Sequence, residues 1–190
     1  MAYLSIDQIA AIGFRRVGRN VLISDKASIY SPELMEIGDN SRIDDYCVVS
    51  GRVTIGRRCL VTAQCLIAGG RPGIVLSDFA TLSYGVKVFS QSDDYSGMTM
   101  TNSLVSRAYK SEILKPVNIG HQVIIGAGSV VFPGADVAEG CAIGAMTLVT
   151  QPTQPWGIYA GIPARRLKDR SRELLKLEKK FLAEVAENSL

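Results

Sequence analysis

A six-residue period of aliphatic side chains runs through most of this 190-residue chain. Four series carry it: Val17, Ile23, Ile29; then Ile37, Ile43, Val49, Ile55, Val61, Ile67; then Leu76, Leu82, Val88; and finally Ile119, Ile125, Val131, Val137, Ile143, Val149. An α-helix repeats its buried face every 3.6 residues and a strand every two, so neither sustains a period of six over this length. Six residues fit one flat wall of a three-sided coil, and the period therefore predicts stacked coils of short parallel strands.

Two other positions of the six-residue unit repeat as well. Glycine follows the aliphatic residue at five places, where a corner needs a positive φ or a missing side chain: Gly38, Gly56, Gly120, Gly126 and Gly144. The fourth residue after the aliphatic one is usually small: Ala27, Ser41, Cys47, Cys59, Cys65, Ala80, Ser129, Ala135, Cys141 and Thr147. A small residue is expected where the side chain points into a narrow prism. All four cysteines occupy this position and no CxxC spacing occurs, which predicts buried free thiols without disulfide or metal roles.

Three segments of the repeat region resemble a known family, the hexapeptide-repeat acyltransferases. They are VNIGHQVIIGAGSVV (117–131), AIGAMTLVT (142–150) and GIPARRL (161–167). The resemblance covers residues 17–168 and is to sugar O- and N-acetyltransferases, including enzymes that act on nucleotide-linked amino-dideoxy sugars. It implies an all-β, left-handed parallel β-helix, an exception to the right-handed crossover rule. It also implies a homotrimer with active sites between neighbouring subunits.

The ends of the chain lie outside the repeat. Residues 1–16 are predicted to hold a capping helix, because Ser5 and Gln8 suit a capping box and Gly13 a helix stop. Residues 169–190 are predicted to form a second helix from the spacing of Leu174, Leu177, Phe181 and Val185. We interpret that helix as packing along the coil or against a neighbour. A membrane-surface role is the alternative, although several glutamates dilute its lysines.

Residues 89–116 interrupt the coil as a long loop without repeats, and loops of this kind are usually functional. In the family this loop carries a histidine base, and matching VKVFSQSD (86–93) to the family pattern puts Asp93 at that position. The single histidine of the chain, His121, lies on a repeat coil instead. The resemblance therefore makes Asp93, Asp94 and His121 the catalytic candidates. Candidates for binding the sugar or its nucleotide are Tyr95, Asn102, Arg107 and Lys110.

The missing loop histidine bears on the acceptor. A hydroxyl acceptor needs a base of near-neutral pKa during attack, whereas a neutral amine already has a lone pair and mainly needs orienting. A carboxylate, of reference pKa about 3.9, is a weak base but accepts the hydrogen bonds of an amino group well. This predicts acetyl transfer from acetyl-CoA to the amino group of a nucleotide-linked amino-deoxy sugar, a step in surface polysaccharide (O-antigen) synthesis in the family.

Two alternatives stay open at this stage. One is an O-acetyltransferase acting on a sugar or polysaccharide hydroxyl. The other, from a different class, is a non-catalytic trimeric scaffold that binds CoA. A zinc hydratase of the γ-carbonic anhydrase kind, which shares the fold, needs three histidines, and the chain has one. No metal is therefore expected.

The resemblance also implies an acyl-CoA site. The family lays the pantetheine arm along an edge of the coil, where Ala127 and Ala145 would offer backbone groups. Gln64 falls where the family has an asparagine near the thioester. Thr150 lies further along, and Arg165 and Lys168 would hold the phosphates of the cofactor by charge.

Charge and hydropathy bound the partners and the location. A net charge of +3 and few aromatic residues give no indication of nucleic-acid binding. The sequence has no apolar run near the ~18 residues that cross a bilayer, and the first residues do not form a signal peptide. The sequence thus predicts a cytoplasmic protein without integral membrane contact.

Overall fold

The structure, a computed structural model, describes residues 2–187. Helix α1 (Ile6–Ile12) precedes the strands and helix α2 (Leu174–Glu187) follows them. In chain order the strands are β1 (Arg16–Val17), β2 (Leu22–Ile23), β3 (Ser28–Tyr30), β4 (Met35–Ile37), β5 (Arg42–Ile43), β6 (Val48–Ile55), β7 (Leu60–Val61), β8 (Leu66–Leu76), β9 (Thr81–Leu82), β10 (Lys87–Phe89), β11 (Gln91–Asp93), β12 (Glu112–Leu114), β13 (Val117–Ile119), β14 (Ile124–Ile125), β15 (Val130–Val131), β16 (Ala142–Ile143), β17 (Leu148–Val149), β18 (Gly157–Ala160) and β19 (Arg165–Asp169). Single 3₁₀ turns span Pro32–Leu34 and Arg107–Tyr109.

The strands stack in parallel as the three faces of a prism. Face 1 consists of β2, β5, β7, β9, β14, β16 and β18. Face 2 consists of β3, the first half of β6, the first half of β8, β10, β15 and β17. Face 3 consists of β1, β4, the second halves of β6 and β8, and β13. We name the corner from face 3 to face 1 edge A, that from face 1 to face 2 edge B, and that from face 2 to face 3 edge C.

The predicted period is confirmed as the core of the prism. All the predicted aliphatic residues except Val17 and Ile29, which are half-buried, are at most 3% exposed. They pair with each other from turn to turn, as Ile43 pairs with Val61 and Val61 with Leu82 on face 1. Each gap in the period is an enlarged corner at edge C: residues 31–34, residues 69–73 and the long loop after Phe89. Insertions therefore leave faces 1 and 2 and their shared edge regular.

The repeated glycines are required by close stacking of the corners. A Cβ atom on Gly126 would lie 2.5 Å from the backbone nitrogen of Ala145, and one on Gly38 would lie 2.6 Å from the carbonyl carbon of Gly56. Positive φ occurs two residues later, at Asn40 with φ 60° and at Gly128 with φ 70°. Of the two reasons offered by the sequence, the missing side chain is the one that applies to these glycines.

The small inward position does more than save space. Ser41 Oγ donates to the carbonyl of Gly56 at 2.7 Å, and Ser129 Oγ donates to that of Gly144 at 2.9 Å. Cys59 Sγ lies 3.2 Å from the carbonyl oxygen of Ser77. A donor at this position satisfies a corner carbonyl of the following turn, which would otherwise be buried without a partner.

Both ends of the prism are covered. Helix α1 has the predicted capping box of Ser5 and Gln8, and it ends at Gly13 with φ 83°. At the other end, β18 and β19 form an antiparallel hairpin. Helix α2 then runs back along edge A, while residues 188–190 of the predicted terminal segment lie outside the described residues. Neither helix within residues 2–187 is long and apolar enough to cross a bilayer.

The buried thiols give a test of the prism. Cys47, Cys59, Cys65 and Cys141 are unpaired and at most 2% exposed, and burial raises the pKa of the Cys59 thiol to about 11. We expect none of the four to react with Ellman's reagent within minutes at pH 8 in the native protein, and all four to react in guanidinium chloride. An Arg71→Cys variant, with a thiol at an exposed corner, is the positive control. Rapid native labelling of the unmodified chain would contradict this packing.

Candidate active site

The loop at edge C is an antiparallel hairpin anchored to the coil. Strand β11 pairs with β12, so that Asp93 lies opposite Glu112. Ser90 Oγ at its base donates to the carbonyl of Gly69 on the preceding turn at 2.5 Å. The amide of Lys115 closes the base by donating to the Ser90 carbonyl at 3.0 Å. The loop therefore has a fixed base and an exposed tip.

An open pocket of about 310 Å³ lies between this base and the next turn of the coil. Its lining residues are Phe89, Gln91, Ser92, Asp93, Tyr95, Ser103, Lys110, Glu112 and Phe132. Three of the residues expected from the sequence, Asp93, Tyr95 and Lys110, meet here. Phe89, Phe132 and Glu112 were not predicted from the sequence. A predicted hairpin in the loop would have placed a residue opposite Asp93, and this signal could have identified Glu112.

Lys110 joins the two carboxylates of the pocket. Its Nζ lies 3.2 Å from Asp93 Oδ1 and 3.3 Å from Glu112 Oε1, and its side chain is only 6% exposed. Burial opposes the charge of Lys110, but the hydrogen bonds that it donates to Asp93 and Glu112 outweigh this effect and raise the pKa of the ammonium group. Two carboxylates and one ammonium group leave the pocket with one net negative charge.

Asp94, the next residue in the chain, forms its hydrogen bonds within the loop. Its Oδ1 accepts from the Ser96 amide at 2.8 Å, and its Oδ2 accepts from the hydroxyls of Ser96 at 2.9 Å and Thr99 at 3.0 Å. These bonds, the Ser96 amide first, lower the pKa of the Asp94 carboxyl. Both oxygens of Asp94 thus hold the turn of the loop, whereas Asp93 faces the pocket.

The remaining loop candidates lie at different depths. The amide of Asn102 donates to Asp93 Oδ2 at 3.2 Å, and its side chain accepts from the Leu104 amide at 2.7 Å. Tyr95 is 86% exposed on the pocket rim, and Arg107 is exposed in the 3₁₀ turn. The large apolar residues of the loop are also exposed: Tyr95, Met98, Met100, Leu104, Tyr109, Ile113 and Leu114.

Three of the residues expected to bind acyl-CoA, Gln64, Ala127 and Ala145, form a row along edge B. The Met146 amide donates to the Ala127 carbonyl, and the Gly128 amide donates to the Tyr84 carbonyl, both at 2.8 Å. Ala145, Ala127 and Gln64 are thus corner residues of one stack, and the three turn spacings between Gln64 and Ala145 span about 14 Å. At the end of the coil, Thr150 and Arg165 line a depression of about 60 Å³, and Lys168 is exposed on β19.

The row on edge B and the pocket on edge C are on opposite sides of face 2. The chain covers that width between Gly85 and Phe89, about 13 Å of extended strand. Within one protomer the two sets of candidate residues are therefore adjacent but not in contact.

His121 lies on edge A, away from this pocket. Its Nε2 is 2.9 Å from Glu178 Oε2 on helix α2, and Gln122 Nε2 donates to the same oxygen at 3.0 Å. The ring of Phe79 meets that of His121 edge-on at 5.6 Å and that of Phe181 at 6.4 Å. The single histidine thus belongs to the contact that docks α2, and its catalytic role remains a prediction.

Among residues 2–187, no group of three or more His, Cys, Asp or Glu side chains is placed to hold a metal ion.

Comparison with known proteins identifies close relatives. Residues 35–69 match the bacterial transferase hexapeptide family (six repeats). A dTDP-4-amino-4,6-dideoxy-D-glucose acyltransferase from Escherichia coli is 40% identical over 184 residues, 95% of this chain and 95% of that protein. AntD, an N-acyltransferase from Bacillus cereus solved with dTDP and 3-hydroxybutyryl-CoA, is 41% identical with a TM-score of 0.96, covering 97% of this chain and 98% of AntD.

A more distant structure shares the fold alone. The maltose O-acetyltransferase from Clostridium difficile 630 has a TM-score of 0.57 at 19% identity, covering 87% of this chain and 75% of that chain.

A mutant of AntD has been solved with dTDP-4-amino-4,6-dideoxyglucose and Coenzyme A, with a TM-score of 0.94 and 41% identity over 96% of this chain and 98% of AntD.

The contact between His121 and Glu178 can be tested from both sides. We expect His121→Ala and Glu178→Gln each to speed amide exchange in α2 about tenfold, as a lost charged hydrogen bond of roughly 1.4 kcal/mol predicts. Acyl-CoA turnover should fall less than about threefold in both variants, since neither residue reaches the pocket. A large loss of kcat in His121→Ala, with Glu178→Gln fully active, would instead support a base role for His121.

Proposed function

Because this chain belongs to the hexapeptide-repeat sugar acyltransferases, we propose that it transfers an acetyl group, or another short acyl group, from acyl-CoA to the amino group of a dTDP-linked amino-dideoxy sugar. The net negative pocket around Asp93 is the observation that carries the acceptor class. It favours an ammonium or amine group over a neutral hydroxyl, and it contains no imidazole. The close relatives that bear the name of such a substrate support the same choice.

The reaction follows from the groups on either side of the pocket. The neutral amine attacks the thioester carbon, the N–C bond forms, and the C–S bond breaks to release CoA. The nitrogen sheds one proton and the departing thiolate gains one, so the step balances without a further reactant. Asp93 accepts an N–H bond of the amine and orients its lone pair, which requires no near-neutral base.

In this proposal, acyl-CoA binds along the row of residues on edge B. The corner amides and carbonyls at Ala127 and Ala145 suit the amide groups of the pantetheine arm because no bulky side chain covers them. Gln64 lies toward the thioester end, and Arg165 and Lys168 provide charge for the phosphates near Thr150. The sugar end of the acceptor enters the loop pocket, where Tyr95, Asn102 and Arg107 are placed to meet the sugar or its nucleotide.

A homotrimer completes the site. The outward residues of face 2 are largely apolar: Tyr30, Val48, Leu66, Ala68, Phe89, Val130, Phe132 and Leu148, with Ser28, Ser50, Lys87 and Thr150 among them. Those of face 3 are largely polar: Arg16, Glu36, Thr54, Asn118 and Asp136, with Val75 among them. Face 1 also exposes Leu22 and Ile124, but it does not lie between edge B and edge C. Because face 2 separates the two candidate sites, we direct face 2 toward the partner subunits and face 3 toward water.

This arrangement brings together what a single protomer keeps apart. Edge B and edge C border face 2 on its two sides, so a closed ring sets edge B of one protomer beside the loop of the next. The exposed apolar residues at the loop tip are then covered by the neighbour. We place the reaction in the cytoplasm, since four unpaired buried thiols are typical of a reducing compartment.

The acceptor class is tested by thiol release from acetyl-CoA with dTDP-4-amino-4,6-dideoxyglucose, the same nucleotide sugar with a 4-hydroxyl group, and simple sugars. We expect turnover of the amine alone, with Asp93→Asn lowering kcat/KM about 30-fold, the effect of losing a charged hydrogen bond of roughly 2 kcal/mol. Asp94→Asn is the matched control and should lower it at most about fivefold, since Asp94 acts within the turn. Hydroxyl turnover alone would support the O-acetyltransferase alternative, and CoA binding without turnover the scaffold.

The shared site is tested by mixing two impaired variants. Asp93→Asn removes the loop carboxylate and Ala145→Trp fills edge B, so each homotrimer should retain only a small fraction of the wild-type activity. Co-expressed one to one, they should recover about a quarter of the wild-type activity, because one interface in four then pairs an intact loop with an intact edge B. Light scattering should give three times the 20.5 kDa chain mass. A monomeric mass, or no recovery in confirmed mixed trimers, would contradict the shared site.

A further inference from the structure

We propose that Lys110 is a positioning residue, which fixes the Asp93 carboxylate for the acceptor amine and does not itself contact the substrate. This inference rests on the proposed function, in which Asp93 receives the amine. It replaces the sequence-based expectation that Lys110 binds the sugar or its phosphate.

The burial of Lys110 argues against a substrate contact. With a side chain 6% exposed, its ammonium group is turned between Asp93 and Glu112, and a phosphate would have to displace two carboxylates to reach it. Its backbone is held as well, because it ends the 3₁₀ turn and bridges Met100 across the loop. A lysine fixed at both backbone and side chain is suited to hold another group in place.

Asp93 is held at both oxygens. Oδ1 faces the ammonium group of Lys110 at 3.2 Å, and Oδ2 accepts the Asn102 amide at 3.2 Å. Each carboxylate oxygen has two acceptor sites, so these contacts leave one on each for an incoming N–H. The carboxylate cannot rotate without losing a bond, which gives the amine a fixed target.

Glu112 explains why a lysine next to Asp93 does not cancel the attraction for an amine. Asp93 and Lys110 alone would be neutral, and Glu112, opposite Asp93 in the hairpin, restores one negative charge. The titratable groups that face Asp93 in the pocket are thus Lys110, Glu112 and the Tyr95 hydroxyl. Removing Lys110 would leave two like charges side by side, and their repulsion would move the Asp93 carboxylate from its fixed position.

The first experiment compares Lys110→Met with Lys110→Arg in steady-state kinetics. For Lys110→Met we expect kcat to fall about 30-fold with KM for acyl-CoA unchanged. Lys110→Arg should recover most of kcat, since it retains the charge. Lys110→Met in an Asp93→Asn background should cost little more than Asp93→Asn alone, because the two residues act as one unit.

Other outcomes would overturn the proposal. A higher KM for the nucleotide sugar at unchanged kcat would make Lys110 a substrate contact. Equal losses in Lys110→Met and Lys110→Arg, with faster proteolysis of the loop, would make it merely structural. If Lys110→Met does not fold, Glu112→Gln tests the same cluster. It keeps the lysine and should raise KM for the amine severalfold by removing the net charge; an unchanged KM would contradict the role given to Glu112.

A measurement without substrate separates this inference from the proposed function. The Asp93 carboxyl carbon can be observed by ¹³C NMR at fixed neutral pH, and its single resonance should broaden or split in Lys110→Met, because the carboxylate loses one of its two fixed contacts. Such a change in a protein that acylates no amine would refute the function and retain the contact. An unchanged resonance in an active enzyme would refute the role of Lys110 alone.

Discussion

The distance between stacked turns is the constraint on which the rest of this structure depends. Corner amides bond corner carbonyls one turn away, as Met146 bonds Ala127 at 2.8 Å, and the stack is so close that a Cβ on Gly126 would strike the backbone of Ala145. Such a ladder tolerates no extra residue along the faces. Within residues 2–187 the insertions lie at edge C, and the long excursion of the coil and the pocket it makes occur there.

The same constraint explains how much of the fold could be predicted from sequence. A rigid period leaves the same residue type at the same position of every turn, so the inward series from Val17 to Val149 is visible without coordinates. The reason for the glycines was only partly predictable, because both a positive φ and a missing Cβ select glycine. The serine and cysteine donors were interpreted only as small residues. Side-chain size is apparent in a sequence, whereas the carbonyl group that accepts their hydrogen bond on the next turn is not.

The site was less predictable, because the loop has no repeat. Asp93 and Asp94 are neighbours of identical type, and only the backbone decides that one faces the pocket while the other holds Ser96 and Thr99. For His121, the side-chain chemistry alone suggested a base. The structure places it on edge A against α2, where it contacts Glu178, a residue 57 positions further along the chain.

The shape of the prism also favours the proposed trimer. The edges of a three-sided coil are convex, so a single copy offers edge B to one ligand and the loop pocket to another but no wall that faces both. In the proposed trimer, face 2 at the centre of a ring would turn two convex edges into the sides of one cleft, with the proposed acyl-CoA edge of one protomer opposite the loop of its neighbour. Precise orientation of Asp93 would then matter more than in an enclosed pocket, because its target would arrive from another subunit. The contacts of Asp93 with Lys110 and the Asn102 amide hold that orientation within the loop itself.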